Sequence, residues 1–316
     1  MANNEERKID CIADNLAEDK RIDIWLSERF TYFSRHQWQN IIKNGFLTVN
    51  KKLCRPSKKL KLGDLITYFP QHEEPEVNTD FSVIYEDERI IAINKPPNLP
   101  CHPAGPYFKH TLWYSLKNDN YKIHFINRLD RETSGIMLIA KNSEDAGFCA
   151  KNIISKTYIT AVFGDFPNNL TAEGFLFEDK SRCINDELKV RKKRFFSFSK
   201  PEVENVESTK TIFNKIKSLN KISILKAELF TGRMHQIRAT LCSLGFPVVG
   251  DKLYGPDESI FIRFINDLMT EEDKFSLIMS RQALHSESIS FIHPKSEKII
   301  SLTAPVPNDI SSLYNN

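Results

Sequence analysis

The sequence predicts an α+β protein in two parts, a small basic unit followed by a strand-rich body of about 235 residues. Three observations predict it. Eleven lysines and arginines fall between Lys20 and Lys61 against two acids, Asp23 and Glu28, a net of +9 in a chain whose total is +3. The next stretch, QHEEPEVNTD (71–80), is polar, acidic and proline-containing, has no apolar period, and reads as a linker. Beyond it, branched-aliphatic and alternating runs recur between turn formers, with helical spacing confined to a few segments.

In the basic unit, RIDIWLSERF sets Ile22, Trp25, Leu26 and Phe30 at near-helical spacing, and SRHQWQNIIKNG does so with Trp38, Ile41 and Ile42. Ser34 is the expected N-cap of the second helix and Gly45 its stop. FLTVN and DLITYF then read as short strands around the lysine-rich KKLCRPSKKLKLGD. Basic residues along one side of such a unit would offer phosphate contacts, although a solvated charged surface explains the same charge.

In the body, FSVIYEDERIIAINK (81–95) reads as two strands around the turn EDER. The four prolines of NKPPNLPCHPAG forbid a helix and predict a rigid extended loop, in which His102 is read as positioned or exposed rather than catalytic. In NRLDRETSGIMLIAKN, Asp130 stands between Arg128 and Arg131, ahead of a buried strand that begins at Gly135. SEDAGFCAKNII predicts a helix capped by Ser143, and KTYITAVFG (156–164) a strand with Tyr158, Thr160 and Val162 on one face. KVRKKRFFSFSK (189–200) is a second basic stretch with interleaved aromatics, suited either to a nucleic acid or to a solvated edge. In KISILKAELFTGRMHQIRATLCSLGFPVVGDKLYG, a strand ends at Leu229 or Phe230. Met234, Ile237, Leu241 and Leu244 then mark a helical face closed by Gly245. Arg238 falls at the edge of that face, and because no acid follows before Asp251, a distant acidic partner is expected.

Composition excludes several classes. Hydrophobic residues at 41% and charged residues at 27% are ordinary for a globular protein. No apolar run approaches the roughly 20 residues that cross a bilayer, and MANNEERKIDC is unlike a signal peptide, so a cytoplasmic protein without membrane partners is expected. The six cysteines are scattered without metal-ligand spacing, so reduced thiols and no metal site are expected.

An aspartate beside Arg128, Arg131 and Arg238 would be ionised, a ready nucleophile or base and a poor general acid. The paired carboxylates of ordinary glycosidases are not evident in the sequence. Taken alone, NRLDRETSG equally suits a turn in which Asp130 accepts backbone hydrogen bonds from Thr133 or Ser134.

The combination decides more. NKPPNLPCHPAG, NRLDRETSGIMLIAK, KTYITAVFG, TGRMHQIRATLCSLGFPVVGDKLYG and LHSESISFIHP occur in this order, and together they resemble the RluA-type family of pseudouridine synthases. Residues 20–68 resemble the small α-L-type RNA-binding module shared by a ribosomal small-subunit protein, tyrosyl-tRNA synthetases and RNA-modifying enzymes. The resemblance implies a module at 18–68, a linker at 69–80 and a catalytic domain at 81–310. That domain would be built on a mixed, largely antiparallel sheet with flanking helices and an active-site cleft.

It also implies an isomerase that converts uridine to pseudouridine in structured RNA without a cofactor. Asp130 matches the essential aspartate acting at ribose carbon 1, Tyr158 the tyrosine that stacks on the base, and Arg238 the basic partner of the aspartate. Arg128 matches the arginine that enters the RNA stack as the target flips out. Further RNA contacts are expected from Arg131, Arg35, Lys43, Lys51, Lys52, Lys58, Arg233 and His235. Three positions depart from the family pattern: Asn127 and Thr240 stand where histidine is common, and Lys51 stands where the module often has glycine, which leaves the shape of that turn open. Large-subunit ribosomal RNA is the expected target, with transfer RNA the alternative, and a monomer is expected. An RNA-binding or ribosome-assembly chaperone on a synthase scaffold and an RNA N-glycosylase are the competing functions.

Overall fold

The structure, a computed structural model, describes residues 8–30, 33–70, 74–104, 106–117, 122–182 and 193–315. Residues 1–7 of the acidic leader, 71–73 of the expected linker, Cys183, and 189–192 of the second basic stretch lie outside the described residues. Two compact units emerge: the chain through Val77 together with His102–Ser115, and Asn78–Cys101 together with the chain from Leu116 onward.

The first unit contains β1 (Ile9–Ile12), α1 (Ile22–Arg29), α2 (Arg35–Lys43), β2 (Leu47–Val49), β3 (Lys52–Leu53), β4 (Leu65–Tyr68) and α3 (Leu112–Ser115). Its sheet runs β1-β4-β2-β3. Ile22, Trp25 and Leu26 of α1 pack with Trp38 and Ile42 of α2 against Leu47, Val49 and Ile66. Ser34 caps α2 in a reciprocal capping box with Gln37, and Gly45 ends it at φ +81°. β1, which precedes residue 18, pairs along β4 from Ile9 opposite Tyr68 to Ile12 opposite Leu65. Its short alternation lies too close to the polar leader to stand out in the sequence.

The Pro-rich loop is divided between the units. The Glu74 carboxylate accepts the backbone N–H groups of Phe108, Lys109 and His110 at 3.0, 3.0 and 2.6 Å, fixing residues 108–110 within the first unit.

Much of the segment's charge is internally compensated. Asp23 is fully buried and accepts hydrogen bonds from Arg21, Arg35 and Gln39. Burial pushes its pKa up, but these donors more than offset it and hold the carboxyl well below its ordinary range. Lys20, Arg29 and Lys59 pair with Glu28, Asp14 and Asp19. Arg35, expected as an RNA contact, is thus tied to an acid, whereas Lys43, Lys51, Lys52 and Lys58 make no ion pair among the described residues.

The turn from β2 to β3 has both central residues, Asn50 and Lys51, at positive φ (51° and 65°), as a type I′ hairpin requires. Lys51 therefore adopts the backbone conformation a glycine would take.

The second unit comprises β5 (Ser82–Glu86), β6 (Ile90–Lys95), β7 (His124–Phe125), β8 (Ser134–Ala140), α4 (Ser143–Lys151), β9 (Ile153–Phe163), β10 (Asn169–Glu178), β11 (Arg194–Ser197), β12 (Glu207–Leu219), β13 (Ile222–Leu229), α5 (Gln236–Ser243), α6 (Ser259–Ile265), α7 (Glu271–Leu277), β14 (Leu284–Ile292), β15 (Ile299–Thr303) and α8 (Asn308–Asn315). One mixed sheet orders its strands β11-β10-β12-β13-β9-β14-β8-β6-β5, with β15 on β14 and β7 on β8. Every pairing is antiparallel except β14 with β8. Three boundaries differ from expectation. Asn142, not Ser143, caps α4 by accepting the Asp145 N–H. Ile153 and Ile154 leave that helix for β9. Met234 is outside α5 and 40% exposed, because the chain turns at His235 with φ +56° before the helix begins.

The parallel contact fixes the strand that carries the candidate loop. Every residue of β8 is buried, and Gly135 (φ +111°) passes so close to β14 that a Cβ there would lie 2.2 Å from the Ser286 carbonyl oxygen. Beside it the Ser134 hydroxyl meets His285 Nδ1 at 3.0 Å, and His285 Nε2 faces the Ala304 carbonyl at 3.3 Å.

Two outcomes are expected. Lys51→Gly should stabilise the first unit by about 1 kcal/mol in thermal melts by removing a left-handed non-glycine residue. Burial holds the His285 ring down to about 4, against about 6.5 in the unfolded chain. Its contribution is therefore complete above pH ~6.5 and is lost as pH falls through ~4. Denaturant melts across that window should show declining stability, with a shallower decline in His285→Gln.

Candidate active site

Asp130 lies in the loop from β7 to β8, and the loop is held from several sides. The Asn127 amide donates to the Ile136 carbonyl (3.2 Å) and accepts the Leu138 N–H (2.7 Å), pairing with β8 as a peptide group would. Lys95, fully buried at the end of β6, donates to the carbonyls of Pro96 (2.8 Å), Leu99 (3.0 Å) and Arg131 (3.2 Å). Cys101 Sγ meets the Leu129 carbonyl at 3.0 Å. The Asp130 carbonyl, not its carboxylate, accepts the Thr133 N–H (3.1 Å). The turn is thus closed by backbone, and the side chain is left available for chemistry.

That carboxylate meets Arg238. Arg238 Nη1 donates to Asp130 Oδ2 at 2.6 Å, while Nε and Nη2 donate to the two oxygens of Asp251 at 2.6 and 2.9 Å. Asp251 is fully buried and also accepts the N–H groups of Leu253 and Tyr254, so it cannot swing away. The fork geometry fixes the guanidinium plane and leaves one amino group aimed at Asp130. Gln282 Nε2 bonds Thr133 Oγ1 (2.5 Å) and approaches Asp130 Oδ2 (3.5 Å). Burial alone would raise the Asp130 pKa, but His235, Arg238 and Gln282 pull it down to about 2. It is a carboxylate at any physiological pH.

His235 Nε2 lies 3.8 Å from Asp130 Oδ1, and its Nδ1 lies 3.0 Å from the Tyr254 hydroxyl. That hydroxyl already accepts the Arg194 N–H (3.0 Å), so its own proton is directed at Nδ1 and the ring proton falls on Nε2, facing Asp130. Burial lowers the His235 pKa despite the Asp130 charge, which favours the neutral ring. Tyr158 is buried, and burial pushes its phenol up to about 12 in spite of a hydrogen bond with Ser286, with the Asp130 charge adding to the rise. It acts as a neutral phenol. The cleft, about 210 Å³, is lined by Asp130, Glu132, Arg238 and Gln282 and bordered by Phe261 and Phe264.

Comparison with known proteins gives the same class. The family described as RNA pseudouridylate synthase matches residues 89–243, and the S4 domain matches residues 20–66. A Buchnera aphidicola (subsp. Schizaphis graminum) protein named ribosomal large subunit pseudouridine synthase D is 30% identical over 93% of both chains. The chain belongs to the RNA pseudouridine synthase family. A Saccharomyces cerevisiae protein named tRNA pseudouridine(32) synthase, mitochondrial, is 32% identical over 76% of this chain, which spans only 51% of that relative. The fold is that of the human RNA pseudouridylate synthase domain containing 1 structure (TM-score 0.54, 20% identity, covering 74% of this chain and 86% of that one).

In this synthase, Asp130, Arg238 and His235 come together, and Tyr158 is electrostatically coupled to Asp130. The arginines adjacent in sequence do not neutralise Asp130. Arg128 is exposed, and Arg131 pairs with Glu132 (3.4 Å) and lies over Phe264. Sequence adjacency therefore does not decide which charge meets the carboxylate. Arg233 meets Glu207 at 3.5 Å and the Ser208 carbonyl at 3.3 Å. The distant acid expected for Arg238 is Asp130, but Asp251, passed over because of its spacing, is a second partner. Sequence reasoning misses Tyr254, Gln282 and Lys95. Only Lys95 carries a signal, as a lysine closing a largely apolar strand. Thr240, at a common histidine position, is buried with its hydroxyl lacking a hydrogen-bond partner among the described residues.

Tyr254→Phe should release the His235 tautomer. Imidazole ¹⁵N spectra are expected to show Nε2–H with an accepting Nδ1 in the wild type and a tautomer mixture in the variant. Losing one net hydrogen bond, about 1 kcal/mol, predicts a roughly fivefold lower rate of pseudouridine formation. Identical ¹⁵N spectra would remove Tyr254 from this role.

Proposed function

We propose that this protein isomerises uridine to pseudouridine in structured RNA, with large-subunit ribosomal RNA as its target. The observation that carries the mechanism is the ionised Asp130 facing a guanidinium immobilised by Asp251. A permanently charged carboxylate suits attack on, or stabilisation of, ribose carbon 1 as its bond to uracil nitrogen 1 breaks. The base then turns and bonds through carbon 5; a proton leaves carbon 5 and one is gained at nitrogen 1. Atoms balance and nothing is oxidised, so no cofactor is called for.

Arg238 holds the carboxylate in the orientation that faces the sugar. Tyr158, a neutral phenol, packs on the base and presents its hydroxyl, held by Ser286, rather than acting as a phenolate. Arg128, exposed ahead of Asp130, is free of the site's ion pairs to enter the RNA stack in place of the flipped nucleotide. The lysines of the first unit add phosphate contacts that raise affinity without reading sequence. Ribosomal RNA is favoured by the Buchnera relative, matched over nearly its whole length, above the yeast transfer-RNA relative, matched over about half.

Asp130→Asn tests the mechanism. It should retain RNA binding in filter assays and reduce pseudouridine formation by at least about a thousandfold, the scale lost with an essential nucleophile. Carbodiimide mapping of total RNA from wild-type, deletion and Asp130→Asn cells identifies the target. Near wild-type product from Asp130→Asn would overturn the mechanism, and full rescue of a deletion phenotype by this variant would make RNA binding the main role.

A further inference from the structure

Lys156 has no place in the mechanism above, yet it stands on the face of β9 that carries Tyr158. The two are separated by one residue, and the irregularity in the β9–β14 pairing puts the extra residue on β14 between Ser286 and Ser288, so the alternation of β9 is unbroken. Among the described residues its ammonium has one hydrogen bond, to the Thr231 carbonyl at 3.5 Å. Three other lysines on this sheet face an acid, Lys210 facing Glu173, Lys215 Asp165 and Lys226 Glu287, while Lys95 and Lys217 are bonded to carbonyl groups. Lys156 meets no acid among the described residues. Its charged neighbour is instead Arg233, of like sign, and burial together with that arginine lowers its pKa.

The surroundings preserve this arrangement. A Cβ at Gly232 would lie 3.0 Å from Lys156 Nζ, so a side chain there would crowd the ammonium. The loop bearing Arg233 is rigid, because Gln236 Oε1 accepts both the Arg233 N–H (2.9 Å) and the Thr231 hydroxyl (2.8 Å). The same loop leads into His235, which faces Asp130. A partly buried ammonium beside a guanidinium, with no acid of its own, is unfavourable until an anion arrives.

We infer that Lys156 and Arg233 form a site for one RNA phosphodiester, on the Tyr158 side of the cleft, at a nucleotide adjoining the target uridine. The anion's identity rests on the proposed function; the cationic site itself does not. Lys156 is a binding residue that holds the strand while the uridine is turned out, with Arg233 sharing its charge between this phosphate and Glu207.

Fluorescence anisotropy with a labelled oligouridylate over a range of salt concentrations tests it. For Lys156→Met the slope of log K against log salt should fall in magnitude by about 0.7, one phosphate contact on a single strand. Lys156→Arg should retain the wild-type slope. On transcribed large-subunit ribosomal RNA, Lys156→Met should raise KM severalfold with little change in kcat. Its melting temperature should equal or exceed that of the wild type, because an uncompensated charge has been removed; if it melts lower, Lys156→Gln is read in its place. An unchanged slope in a variant that melts like the wild type overturns the inference. Saturable binding of inorganic phosphate alone, abolished in Lys156→Met while the oligouridylate slope stays the same, overturns the RNA assignment. If the wild type makes no pseudouridine in ribosomal RNA but the slope still falls, the target is wrong and the phosphate site stands.

Discussion

Two carboxylates share one guanidinium, and the rest of the catalytic unit serves that arrangement. Arg238 is buried and would be intolerable without Asp251, which takes two of its donors and is itself fixed by two backbone N–H groups. The remaining nitrogen, Nη1, donates to Asp130. Buried networks of this kind rigidify their surroundings, which suits the proposed action of Asp130 on a flipped nucleotide.

The opposing side of the pair is held with equal care. Asp130 sits on a loop that would be mobile if only its ends were fixed. Lys95, Asn127, Cys101 and Gln282 each bond a different point along it, and Gly135 lets β14 approach β8 closely enough to hold the strand behind it. Asn127 shows how a departure from the family pattern is accommodated. Its amide has both a donor and an acceptor and makes a two-point contact with β8 that a single imidazole ring, with one proton to donate when neutral, would make differently. Gln282 plays a related part, bonding Thr133 within the loop while its amide approaches the Asp130 carboxylate.

Much of this was legible in the sequence, and the gaps have physical causes. Strong apolar runs gave β8, β9 and α2 because burial on one or both faces imposes a period. Motif order singled out Asp130, Tyr158 and Arg238 as candidates, and the structure brings Asp130 and Arg238 into contact. Arg128 and Arg131 flank Asp130 in sequence, but Arg128 is exposed and Arg131 pairs with Glu132, and the cation that meets the carboxylate arrives 108 residues later, at Arg238. Tyr254 and Gln282 act through one atom each, and nothing in their local sequence records which atom they will meet. The basic segment's charge overstated its free cations, since a buried aspartate consumes two arginines.

Burial acting alone would raise the Asp130 pKa, and only the fixed charges around it reverse the sign. That reversal is the central claim, and a site-specific ¹³C titration of the Asp130 carboxyl tests it most directly. The wild type should titrate at about 2, and in Arg238→Met the midpoint should rise above the ordinary aspartate value of about 3.9. A midpoint that stays in place when the guanidinium is removed would contradict the account.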